Sequence, residues 1–277
     1  MFELSTSGER QLKDLTNKTA VITGGSSGIG LALAKAAGLK GARVIIAEPQ
    51  RDRLETAAKT LTDLSIDAKH FACDVTQLEQ VEALADFAWQ ENEQVDLVIN
   101  NAGIGQPRGT ILDADIADIR ATFDVNFYGV WHGCRVFGKR FIEQGRPAAI
   151  YNTGSENSLF NAAPGIGGYI ASKHAVLGLT EVLREELPDH ITVGMIVPGF
   201  VASNLTRGVA HLAMDADQFA EIILQQIQDG RFYAVSHAYN MEHINARYQE
   251  IQESYAQYAP RYDGDDEYDV RTLRKQL

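Results

Sequence analysis

TAVITGGSSGIG, residues 19–30, sets a short run of apolar and β-branched residues directly against a glycine-rich turn and the start of a helical pattern. TAVIT (19–23) reads as a buried strand, and GIGLALAKAAGLKG (28–41) as a helix closed by Gly41. A strand-to-helix turn of this kind aims free backbone N–H groups and the positive end of the helix at an anion such as a pyrophosphate. Glycine serves the tight turn, the close approach of backbone to ligand, and the packing of helix on strand. The spacing is GxxxGxG through Gly24, Gly28 and Gly30, not GxGxxG. Taken alone it could be no more than a tight loop, so its setting decides.

Working outward, apolar runs alternate with segments of helical period. ARVIIAE (42–48), AKHFACDV (68–75), VDLVIN (95–100), AAIYNT (148–153), HITVGMIVP (190–198) and RFYAVS (231–236) read as six further strands. Between them lie helical patterns at 51–64, at 76–92 with a threonine cap at Thr76, at 113–123 and 126–143 as two stretches, at about 167–187, and at 216–229. Strands that are almost continuously apolar, each followed by a helix, imply an α/β fold of three layers: a doubly wound, Rossmann-like parallel sheet of about seven strands. We expect an N-terminal extension over 1–14, one dinucleotide-binding and catalytic domain over 15–236, and a C-terminal helix with an acidic tail over 237–277.

Composition narrows the function. Twenty-five Lys and Arg against 37 Asp and Glu give a net charge of −12, which would repel a phosphate backbone and an anionic membrane. Nucleic acid and membrane are therefore not expected partners. No stretch reaches the ~18 apolar residues of a membrane span. MFELSTSGERQLKDL lacks the basic segment and apolar block of an export signal, so the expected compartment is the cytoplasm. Cys73 and Cys134 lie far apart without a CxxC spacing or a histidine cluster, so no metal site is expected and both read as buried core thiols.

Glu48 ends the second strand 20 residues beyond Gly28, near the place where a carboxylate meets an adenosine ribose. It would accept from both ribose hydroxyls and repel a 2′-phosphate, favouring NAD over NADP. Arg51 and Arg53 keep NADP open, since either could swing toward a phosphate. In GGYIASKHAV (167–176), Tyr169 and Lys173 share one helix face. A tyrosine titrating near 10 needs its phenolate stabilised to act as a base near neutrality, and the ammonium one turn on would lower its pKa. YxxxK recurs by chance in a chain with 10 tyrosines. Here Ser155, at the carboxyl end of the fifth strand, adds a hydroxyl able to donate to a substrate oxygen.

Together these motifs resemble the short-chain dehydrogenase/reductase family, in its compact single-domain subgroup. The likeness covers about 15–236 and rests on TGGSSGIG, Asp74-Val75, Asn100-Asn101-Ala102-Gly103, Asn126, Ser155, Tyr169 with Lys173, and Pro198-Gly199-Phe200-Val201, in that order. The resemblance implies hydride transfer between NAD and a secondary alcohol or ketone. Tyr169 would be the acid/base, Lys173 would bind the nicotinamide ribose and tune the tyrosine, Ser155 would orient the substrate oxygen, and Asn126 would hold a water linking Lys173 to solvent. Read from the residues alone, Asn126 is a cap or turn residue. The cofactor would lie against Gly24, Ser26, Ser27, Gly28, Ile29, Gly30, Glu48, Asp74, Val75, Asn101, Ala102, Gly103, Tyr169, Lys173, Pro198, Gly199, Val201 and Ser203.

The chain departs from the family pattern in three places. Ser155 to Tyr169 is one residue longer than usual, so the loop ENSLFNAAPGIGG (156–168) is expected to bulge; position 203 is Ser rather than Thr; and some 40 residues follow the seventh strand. The expected substrate wall comprises Ser155, Glu156, Asn157, Phe160, Ile166, Tyr169, Phe200, Asn204, Leu205, His211, Leu212 and Met214. This mostly apolar set suits a small or medium, apolar or ring-bearing alcohol or ketone. AYNMEHINARY (238–248) resembles the extension of bacterial members that oxidise aryl or benzylic alcohols. The family packs subunits through the helices containing residues 130–141 and 171–187, which implies a homodimer or homotetramer. The rival reading is a catalytically silent dinucleotide-binding or regulatory protein of the same fold. An extended-subgroup epimerase shares YxxxK but not the GxxxGxG spacing.

Overall fold

The computed structural model describes residues 12–273; most of the expected N-terminal extension and the last four residues of the tail lie outside it. The chain divides into two compact units, one ending at His237 and the other beginning at Ala238.

In the first unit, β1 (Thr19–Thr23), β2 (Arg43–Glu48), β3 (Ala68–Ala72), β4 (Leu97–Asn100), β5 (Ala148–Thr153), β6 (Ile191–Val197) and β7 (Tyr233–Val235) form one sheet in the order β3-β2-β1-β4-β5-β6-β7. Every pairing is parallel. The chain winds outward from β1 to β3, returns to place β4 on the other side of β1, and continues to β7. The winding therefore reverses between β1 and β4, where the carboxyl ends open a crevice.

Strand alternation explains why these runs are apolar throughout. Ala20 and Ile22 of β1 face one core cluster, shared with α1 (Gly28–Leu39), α2 (Arg51–Asp63) and α7 (Ala216–Gln228). Val21 faces the other, shared with α3 (Leu78–Glu91), α5 (Gly129–Gln144) and α6 (Gly167–Glu186). A strand covered on both faces has no position left for water. Both cysteines sit in the second cluster, and burial pushes each thiol up to about 12.

Two expected boundaries change. Thr76 does not cap α3, whose N-cap is Gln77; its N–H and hydroxyl instead donate to Asp74 Oδ1 at 3.0 and 2.8 Å, forming a local turn. The two helical stretches expected over 113–143 are one continuous rod. The helix α4 (Ile116–Phe123) runs through a π-turn, Asp124–Tyr128, into α5. Asn126 lies inside that turn and is neither cap nor loop residue. In the second unit, α8 (Asn240–Tyr258) occupies the expected C-terminal helix, and a short α9 (Val270–Leu273) ends the described tail.

The β5–β6 pair is closed by a residue that must stay small. Gly194 of β6 is paired with Tyr151 of β5, and a β-carbon there would lie 2.3 Å from the Tyr151 ring. That ring is fully buried and its hydroxyl donates to Arg231 O at 2.9 Å, so it has no room to yield. Gly194→Ala should cost roughly 1–3 kcal/mol of stability, read as a lower urea midpoint with an unchanged slope.

Candidate active site

The crevice between β1 and β4 is closed from below by an approach that leaves no space for side chains. A β-carbon at Gly30 would sit 2.2 Å from the Gly24 carbonyl oxygen, and one at Gly24, where φ is +63°, would sit 2.8 Å from Ala102 Cα. Asn101 fastens the two strand ends. Its N–H donates to Thr23 Oγ1 and its side-chain amide to Thr23 O, both at 3.0 Å, while Ala102 N reaches the same Thr23 hydroxyl at 3.1 Å.

Around this cradle, Ser26 is buried and donates to Glu48 Oε2 at 2.9 Å, which holds the carboxylate at the end of β2 toward the glycine turn. Ser27 accepts from the Asn204 side chain at 2.9 Å, and Gly28 lies against Ser203. Ile29 is half-buried on the first turn of α1. Asp74 and Val75 follow β3, with Val75 buried under Gly129. Beyond β6, Pro198 O accepts from Glu156 N at 2.7 Å, Gly199 and Phe200 are half-buried, and Val201 is buried. The segment continues from Ser203 into a 3₁₀ stretch, Asn204–Leu212. The sequence-predicted cofactor residues thus converge on one edge of the sheet.

The second group lies on β5 and α6. Ser155 is buried just past β5, at the N-cap of a 3₁₀ turn, Glu156–Ser158. The first three residues of the loop expected to bulge after Ser155 are wound into this turn. Asn157 does not line an open wall but turns back, donating to Ser155 Oγ through its backbone N at 3.1 Å. Tyr169 stands in the first turn of α6, its phenol near enough to the Ser155 hydroxyl to feel it electrostatically. Lys173 is buried one turn on, its Nζ 5.8 Å from the centre of the Tyr169 ring and 2.8 Å from Thr153 O, to which it donates.

The electrostatics differ from the expectation of a lowered tyrosine. Burial is the largest influence on Tyr169 and raises its pKa; the Ser155 hydroxyl pulls it down and the nearby Glu156 charge pushes it up. The Lys173 ammonium is turned toward Thr153 O, and burial pulls its pKa down to about 8. Asn126 is fully buried and its amide is spoken for: Oδ1 accepts from Ile104 N at 2.8 Å, and Nδ2 donates to Ile104 O at 3.0 Å and Ser172 Oγ at 3.2 Å. Gly103 separates it from Lys173, a β-carbon there lying 3.3 Å from Asn126 Oδ1 and 3.6 Å from Lys173 Nζ.

Of the expected substrate wall, Phe160 is buried, Glu156, Ile166 and Met214 are half-buried, and Leu205 is exposed beside Gly105. His211 and Leu212 are exposed at the far end of the 3₁₀ stretch. Sequence reading missed Gln106, whose Oε1 accepts from Tyr169 N at 2.9 Å and so caps α6 from 63 residues away. It also missed Ser158 and Thr206. Both stand three residues after an N-cap serine, the spacing of a capping box.

Residues 18–212 match the family model described as short chain dehydrogenase. The 1-deoxy-11-beta-hydroxypentalenate dehydrogenase of Streptomyces avermitilis is 34% identical over 233 residues, covering 81% of this chain and 86% of the relative. The mitochondrial borneol dehydrogenase of Lavandula x intermedia is 33% identical over 239 residues, covering 82% and 89%. Among solved structures, a short chain dehydrogenase/reductase from Burkholderia phymatum in complex with NAD superposes with a TM-score of 0.82 at 29% identity, covering 87% of this chain and 96% of that one.

The sign of the Glu156 effect can be isolated without turnover. Because its negative charge disfavours the phenolate, Glu156→Gln should lower the Tyr169 pKa. The measurement is the ultraviolet titration difference between the protein and its Tyr169→Phe variant, taken with and without Glu156→Gln; an unmoved or rising midpoint would contradict the geometry.

Proposed function

The chain belongs to the short-chain dehydrogenase family, and from that premise we propose that it moves a hydride between NAD and a secondary alcohol or ketone, with Tyr169 as the acid/base. Oxidoreduction at a CH–OH group with a nicotinamide dinucleotide is the family's chemistry. The observation that carries the finer reading is the meeting of Ser155, Tyr169 and Lys173 at the same sheet edge as the glycine cradle.

The cradle suits a dinucleotide, since the positions where a β-carbon would collide are those a pyrophosphate must approach. Gly24 to Gly30, Asn101 to Gly103, and Pro198, Gly199, Val201 and Ser203 would hold it, with Asp74 and Val75 toward the adenine. The bound nicotinamide supplies the hydride acceptor or donor. In the oxidising direction Tyr169 takes the hydroxyl proton of the alcohol as the carbonyl forms, and in reduction it returns that proton. Ser155, its acceptor side filled by Asn157, donates to the substrate oxygen. Lys173 lies close enough to favour the phenolate once its ammonium swings from Thr153 O. Asn126 braces Ile104 beside it.

Glu48 supports NAD over NADP. Its carboxylate is held by Ser26, and Arg51 and Arg53 stand exposed on α2. The substrate we favour is small to medium and apolar or ring-bearing. Phe160, Ile166, Phe200 and Leu205 would border it, and two relatives bear the names of hydroxypentalenate and borneol dehydrogenases. A second copy of the chain would cover the half-exposed Trp131 and Ile142 of α5 and Val182 of α6. Among the described residues no helix is long and apolar enough to cross a membrane; the cytoplasm is the compartment we propose.

Following nicotinamide absorbance with NAD and a panel of secondary alcohols that includes borneol, Tyr169→Phe should lose about 10²-fold or more in kcat while still binding NADH. Full activity in that variant would remove Tyr169 from the chemistry. In the same assay the unmutated protein should prefer NAD, and Glu48→Ala should shrink the preference through a higher KM for NAD. If the unmutated protein prefers NADP, the assignment of Glu48 is wrong.

A further inference from the structure

The site's reacting groups stand on two separate elements, Ser155 after β5 and Tyr169 with Lys173 on α6, so their spacing rests on side chains that span the gap. The described residues include three such spans. Lys173 Nζ reaches Thr153 O, but that ammonium belongs to the site itself. Asn152 Nδ2 donates to Thr180 Oγ1 at 3.0 Å, about two helical turns beyond Lys173. The third is Ser158, fully buried, whose hydroxyl accepts from Ser155 N at 3.2 Å and donates to Lys173 O at 2.7 Å. Of the three, only this one ties the backbone of one site residue to the backbone of another.

We propose that Ser158 is a positioning residue of this site: its hydroxyl fixes the Ser155 turn against the Tyr169–Lys173 turn of α6 and so sets the contact between the Ser155 hydroxyl and the Tyr169 phenol. The inference rests on the acid/base reading above and deepens it. A hydroxyl has one proton, and here it goes to Lys173 O, so the oxygen is left to accept from Ser155 N and the group cannot rotate without losing both partners. It is also held in place: a β-carbon on Gly154 would lie 2.8 Å from Ser158 Oγ and 1.9 Å from Met195 Cε, so the turn cannot settle toward β6. Ser158 touches no reacting atom. Its removal would leave the glycine cradle intact, but it would free the turn that carries Ser155, Glu156 and Asn157. A loosened turn weakens the pull of the Ser155 hydroxyl, which favours the ionised form of the phenol; the charged groups facing that phenol are Glu156 on the same turn and Lys173 on α6.

The test uses the full chain, NAD and whichever alcohol of the panel turns over fastest. Ser158→Ala should lose about 10- to 100-fold in kcat, the scale of a misplacement near 1 Å, with KM for NAD and Kd for NADH within twofold of the unmutated protein. The acid limb of its pH profile for alcohol oxidation should move to higher pH, opposite to the shift from Glu156→Gln. Ser158→Cys keeps the size and a weak donor, so it should recover part of the rate. If Ser158→Ala does not fold, Ser158→Cys is read against the unmutated protein and should still show a rate loss and the same direction of pH shift. Unchanged kcat and pH limb in the folded variant would overturn the proposal, as would a rate loss matched by weaker NADH binding, which marks general packing. Turnover that survives Tyr169→Phe, or its absence from the unmutated protein, would instead overturn the underlying reading.

Discussion

The turn after β1 can close only where no side chain intrudes, and the rest of the site is arranged around that closeness. With its backbone already within van der Waals reach of Ala102 and Asn101, the Gly24–Gly30 turn holds the ends of β1 and β4 together across the point where the winding reverses. Ser26 then carries the constraint sideways to Glu48 on β2, and Ser27 and Gly28 carry it to Asn204 and Ser203 beyond β6. A single steric condition thereby brings segments from 24 to 204 onto one edge.

The proton-transfer pair faces a different constraint. Burial disfavours charge on both members, raising the Tyr169 phenol and lowering the Lys173 ammonium to about 8. The two titrations thus cross and move apart, the ammonium losing its proton at lower pH than the phenol. Tyr169 is left dependent on donors that favour its ionised form, so small changes in the Ser155 turn or in the Glu156 charge have leverage on it. Glu156 opposes Ser155 on the same turn, one residue apart.

Much of this is legible in the sequence because its signals are local. An unbroken apolar run before a glycine turn specifies a doubly covered strand and a helix start whatever the rest of the chain does. Tyr169 and Lys173 are placed on one face by helical spacing alone. The unread parts depend on partners far along the chain. Nothing in residues 113–143 announces that α4 and α5 are continuous, because Asn126 finds its hydrogen bonds at Ile104 rather than as a cap. Gln106 caps a helix that its own neighbourhood does not contain. The upward shift of Tyr169 was likewise hidden: spacing shows that a lysine is near, not that its ammonium points to Thr153 O.

The strand ends carry one more sequence signal, in the change from apolar to polar residues. The strand β4 closes with Asn100 and β5 with Asn152 and Thr153, all buried. These amides remain inside the sheet because they satisfy one another: Asn100 Nδ2 donates to Asn152 Oδ1 at 2.8 Å, and Asn152 Nδ2 donates to Thr180 on α6. Asn100 Oδ1 has no hydrogen-bond partner and lies where a β-carbon of Gly133 would be, 2.0 Å away, so α5 must present bare backbone there. An apolar residue at position 152 would extend the core but remove the Asn152–Thr180 hydrogen bond between β5 and the helix bearing Tyr169. The polar ends of β4 and β5 therefore mark where the sheet stops serving the core and begins to hold the site.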